Sequence, residues 1–78
     1  MGGHMNDIIN HPPHYTAGKY EVIDIIESTT NSMELTPFEG YCLGNAIKYI
    51  ARFKNKNGAE DLNKAKWYID KLIGNATL

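Results

Sequence analysis

Three segments of the chain repeat apolar residues with a helical period. From Lys19 to about Ser28, Val22, Ile25 and Ile26 share one face while Glu21, Asp24 and Glu27 fall mainly elsewhere. Thr36-Pro37-Phe38-Glu39 then carries the signature of a capping box with proline at the first helical position. The second helix should start there and run to about Lys54, with Leu43, Ala46, Ile47 and Ile50 as its apolar stripe. Gly40 and Gly44 fall inside it and read as points of close helix packing. Asn55-Lys56-Asn57-Gly58 interrupts the pattern, and Gly58 can adopt the positive backbone angle that turns a chain. A third helix is expected from about Ala59 to Ile73, with Leu62, Ala65, Ile69, Leu72 and Ile73 at helical spacing and Gly74-Asn75 as its stop. No stretch of period two competes, and there is no internal repeat.

Ahead of the helices stands Asn10-His11-Pro12-Pro13-His14-Tyr15. Pro12 and Pro13 hold the residues before them in extended geometry and bar a helix. The expected fold is therefore all-α: three short helices preceded by an extended His-Pro-Pro-His arm. Residues 1–5 read as an expression-tag remnant and residues 6–78 as a single small helical domain. A 78-residue chain buries only roughly 60% of its unfolded surface. A lone copy is marginal, so a homo-oligomer is expected.

Charge and cysteine content narrow the function. A formal net charge of -1 supplies no general basic field, so DNA and RNA are not expected partners. No apolar run approaches the roughly 20 residues of a membrane span, and no membrane partner is expected. The single cysteine, Cys42, cannot form an internal disulfide, which fits a reducing cytoplasm.

Chemistry must come from the polar faces. On the second helix Tyr41, Asn45, Lys48 and Arg52 stand at intervals of four, three and four, on one line. Asp61, Lys64 and Tyr68 form a similar line on the third. Arg52 offers a planar two-pronged donor to phosphate oxygens, Lys48 and Lys64 offer point charges, and Asn45 offers a donor and an acceptor. Tyrosines, Tyr49 and Tyr68 among them, can stack on a ring. An ordinary solvated face would show the same spacing. His11 and His14 stand three apart in an extended arm. Without a third ligand they do not make a zinc site, so no metal site is expected. Either they hydrogen-bond phosphate or ribose, or they are satisfied by backbone carbonyls within a turn. Glu21, Asp24, Glu60 and Asp61 are the carboxylates available to magnesium, although acids in a first helical turn also answer to the helix dipole. The candidate ligand-binding set is Asn10, His11, His14, Tyr15, Asn45, Lys48, Tyr49, Arg52, Asp61, Lys64 and Tyr68.

Four ordered blocks carry a resemblance. They are the arm, Glu21-Val22-Ile23-Asp24, the run from Gly44 to Arg52, and the run from Glu60 to Asp70. Over about residues 9 to 73 the chain resembles a small phage-encoded, nucleotide kinase-like domain of uncharacterised function, similar to part of a larger phage deoxynucleoside monophosphate kinase. The resemblance implies a phage origin and a nucleotide-related role, and with the lone cysteine the expected location is the host-cell cytoplasm. No G-x-x-x-x-G-K-[ST] phosphate loop is present. The leading expectation is capture of a nucleotide or nucleotide-derived ligand, which in a phage would sequester a host immune signalling nucleotide, with no cofactor. The alternative is a nucleoside monophosphate kinase, which would require Mg2+ and ATP. A weaker alternative is a protein interaction module presenting Phe53, Trp67 and Tyr68.

Overall fold

The computed structural model describes residues 16–76; the Asn10 to Tyr15 arm expected from the sequence lies outside them. Gly18 determines the first element. Its φ is +63°, and every described non-glycine residue, Lys19 included, keeps φ negative. Glycine at the first central position of a two-residue turn matches the twist of a tight hairpin. Thr16–Ala17 (β1) accordingly pairs antiparallel with Tyr20–Glu21 (β2), Thr16 opposite Glu21 and Ala17 opposite Tyr20. The described chain is thus mostly helical with a small hairpin, where the sequence pattern had indicated helices alone. Two residues per strand are too few to display a period of two.

The hairpin displaces the first helix, α1, to Val22–Asn31, three residues later at both ends than the apolar pattern indicates. Hydroxyls help to end it: Thr30 Oγ1 donates to the Ile26 carbonyl at 2.8 Å and Ser32 Oγ to the Thr29 carbonyl at 2.7 Å. Such local bonds compete with continued helix.

The second helix, α2, spans Pro37–Arg52 and begins where the capping box puts it. The Glu39 N–H donates to Thr36 Oγ1 at 3.1 Å, and the Thr36 N–H donates to Glu39 Oε1 at 2.8 Å. A 3₁₀ turn at Phe53–Asn55 follows. Gly58, with φ +56°, then redirects the chain, and its N–H closes on the Phe53 carbonyl at 2.8 Å. The third helix, α3, runs Ala59–Asn75, so it passes through Gly74 and Asn75 before the Ala76 N–H caps the Leu72 and Ile73 carbonyls.

α2 lies between α1 and α3 and packs most extensively on α3, with the hairpin against α1 and α2. Among the described residues the buried apolar ones are Val22, Cys42, Ala46 and Ala65. Gly44 is a point of close approach, because a Cβ there would stand 3.3 Å from Ile26 Cγ2. Gly40 has open space around it. In melting experiments Gly44→Ala is expected to be nearly neutral, the helix-propensity gain of about 1 kcal/mol offsetting a shift of Ile26. Gly44→Leu should lower stability by about 1–3 kcal/mol, the usual cost of overpacking. Among the described residues no helix is long and apolar enough to cross a membrane.

Candidate functional site

The side chains of α2 and α3 meet around two centres, the Tyr49 ring and the Asp61 carboxylate. Asp61 is the third residue of α3 and is 0% exposed. Its Oδ2 accepts from Arg52 Nε at 3.2 Å and from the Asn57 N–H at 3.1 Å. Its Oδ1 accepts from Arg52 Nη2 at 3.2 Å and from Asn57 Nδ2 at 3.4 Å. A first-turn acid reaching back to the residue before the turn glycine thus ties together the end of α2, the Asn57-Gly58 turn and the start of α3. Burial alone would raise the carboxyl pKa. The Arg52 and Asn57 hydrogen bonds, together with the Arg52 charge, outweigh it and hold the group below the usual 3.8.

Tyr49 is half-buried on α2, and three cations approach its ring: Lys48 Nζ at 4.5 Å from the centroid, the Arg52 guanidinium carbon at 4.9 Å and Lys64 Nζ at 5.5 Å. The negative face of a phenol attracts such groups. The Tyr68 ring lies stacked with Tyr49, centroids 6.0 Å apart and planes 14° from parallel. Tyr68 in turn meets Tyr41 and Trp67 edge-on at 5.7 and 5.0 Å. Its hydroxyl stands 3.4 Å from that of Tyr41, a long hydrogen bond.

That hydroxyl contact first, then burial and the neighbouring groups, push the Tyr68 phenol up to about 12 from 10.0. A raised folded-state value favours the neutral phenol. Its stabilising contribution is complete below pH 10.0 and is lost as pH rises through about 12. Ultraviolet titration is expected to show a phenol ionising near that upper value, and Tyr68→Phe should remove it.

All seven described candidates from the sequence belong to this network. Lys48, Tyr49, Arg52, Asp61, Lys64 and Tyr68 are joined directly, and Asn45 donates its Nδ2 to the Tyr41 carbonyl at 2.9 Å. Asn10, His11, His14 and Tyr15 lie outside the described residues. The guanidinium offered to phosphate by spacing donates two of its nitrogens to Asp61. The Asn45 amide is likewise partly spent on its own helix. Lys64 also lies 3.8 Å from Glu60 Oε2. Asn57 was not legible as part of the site, since only the folded turn brings it to Asp61. Among the described residues no three histidines, cysteines or carboxylates gather as a metal site, and Asp61 is already engaged by four donors.

A 64-residue stretch is 38% identical to the Gene 1.7 protein of Enterobacteria phage T3, covering 77% of this chain and 38% of that protein. Over 64 residues it is 36% identical to Nucleotide kinase gp1.7 of Escherichia phage T7, covering 77% of this chain and 32% of that one. The chain therefore spans only about a third of the length of these relatives. No solved structure gives a significant match. Residues 9–70 match the family described as a protein of unknown function, DUF3310, and on that match this chain belongs to it.

Proposed function

We propose that this chain binds a nucleotide or nucleotide-derived molecule on the face that α2 and α3 form around Tyr49. The observation that carries the reading is the crowding of Lys48, Arg52 and Lys64 around one phenol ring. Three cations gathered on one ring repel one another, and the carboxylates of Asp61 and Glu60 offset part of that charge. A phosphate added beside Lys48 and Lys64 relieves the repulsion, while exposed Tyr41 and Trp67 supply rings for a base to stack on. Asn10, His11, His14 and Tyr15 would complete the site from the arm, and Asn45 and Tyr68 would border it. Arg52 acts from its place on Asp61, as a fixed positive charge beside the ring. For a phage protein, capture without turnover would sequester a nucleotide, a host immune signal included.

A second reading, nucleoside monophosphate kinase, is favoured by the name of the phage T7 relative. It would need a divalent cation and a triphosphate donor. Incubation with a mixture of nucleotides, removal of unbound material, denaturation and identification of what is released distinguishes the readings. Recovery of one nucleotide intact supports capture, and an altered one in the presence of magnesium and ATP supports the kinase. Recovery of nothing counts against both.

A further inference from the structure

Large aliphatic groups on α3 remain in solvent: Leu62 is 42% exposed, Ile69 39% and Ile73 63%. At 3.6 residues per turn the three lie within about 40° of one another. They form a stripe beside the inward arc of Asp61, Ala65, Tyr68 and Leu72. Among the described residues, none of the buried apolar ones, Val22, Cys42, Ala46 and Ala65, is larger than valine. One copy therefore buries only small apolar side chains completely, holds Ile26, Leu43, Ile47 and Leu72 half-buried, and leaves this stripe of large aliphatic groups in water, a thin core for a chain of this size.

We propose that a second copy of this chain docks on this stripe, with α3 antiparallel to its counterpart about a two-fold axis between Trp67 and Tyr68. Leu62 of each copy then faces Ile73 of the other, with Ile69 near the centre. The charges fit the same operator. Lys66 and Asp70 border the stripe and are paired at 3.2 Å within one helix. Their midpoint falls at Tyr68, so the axis that matches Leu62 with Ile73 also sets Lys66 of each copy beside Asp70 of the other. α3 carries three acids, Glu60, Asp61 and Asp70, against three lysines, Lys64, Lys66 and Lys71. Two such helices meet without net repulsion, and an isologous contact of this kind closes on itself. The contact stands independently of any nucleotide.

Sedimentation equilibrium of the full chain at micromolar concentration tests it. The wild type is expected to be a dimer, and a monomer there overturns the proposal. Ile69→Glu should raise the dimer dissociation constant by about a hundredfold or more, because it places a charge at the centre of the contact. Met33→Lys, an equally drastic change at an exposed residue beyond α1, should leave it within about twofold. An unchanged constant for Ile69→Glu also overturns the docking face. Lys66→Asp and Asp70→Lys each set like charges across the axis and should each weaken dimerisation, roughly tenfold. Mixed together, the two variants restore opposite charges only between copies, since each chain retains its own like-charged pair. Recovery of heterodimer in the mixture supports the two-fold register, and failure to recover it overturns that register.

Discussion

Arg52→Ala is expected to lower the melting temperature by about 10 °C or more, the effect of leaving a buried carboxylate without its ion partner. The reason lies in Asp61, which has no exposure to water and whose two oxygens accept from four donors. Without Arg52 only the Asn57 backbone and side chain remain to satisfy it. Asp61→Asn should be nearly as damaging. An amide has one oxygen, and its NH2 would confront two of the four donors. A double replacement of Arg52 by methionine and Asp61 by leucine should recover part of the loss, since removing both charges spares the desolvation cost. Recovery is incomplete because the Asn57 N–H then lacks its acceptor. Thermal denaturation followed by circular dichroism checks all three variants, and melting unchanged by Arg52→Ala would contradict the structural role of the pair.

The same pair determines an acid limb. Asp61 ionises below the usual 3.8 in the folded chain, so its contribution is fully present above that value and is lost as pH falls below it through the folded-state value. Stability measured against pH should decline more steeply in that window for the wild type than for Asp61→Asn.

Tyr49→Ala is expected to weaken nucleotide binding by roughly tenfold or more, because the cations that the ring holds in place for a phosphate lose their common anchor. The substitution removes the ring that gathers Lys48, Arg52 and Lys64 and that stacks with Tyr68. Tyr49→Phe keeps the ring and should bind within about threefold of the wild type, because the electrostatic face of the ring survives. Lys48→Ala and Lys64→Ala should each reduce both the affinity and its dependence on salt, as expected of point charges near a phosphate. Calorimetry with the nucleotide recovered from the mixture gives these numbers. Tyr49→Ala with unchanged affinity and unchanged melting would exclude this face as the binding site. Arg52→Ala is a poor probe of binding by comparison, because it acts first on Asp61.

Several features were determined by local sequence alone. The capping box of Thr36 and Glu39 needs only residues three apart, and α2 begins where that spacing says. Gly58 turns the chain because a residue without Cβ can take a positive φ at no steric cost. The lines of Tyr41, Asn45, Lys48 and Arg52 and of Asp61, Lys64 and Tyr68 follow from helical period. Tertiary structure decided what those lines do. Asp61 sits where an amphipathic pattern shows a solvated acid, yet it is buried by the approach of α2 to α3 and kept charged by Arg52, nine positions earlier in the chain. Leu62, Ile69 and Ile73 fit an apolar stripe in sequence, but α3 turns the arc of Asp61, Ala65 and Tyr68 inward and leaves those three outside. The hairpin at Thr16 to Glu21 was equally hidden, since two-residue strands carry no period. Periodicity specifies which residues share a helix face; which face meets a neighbour depends on long-range packing, where a satisfied ion pair can take an inward position that hydrophobicity alone would assign to leucine.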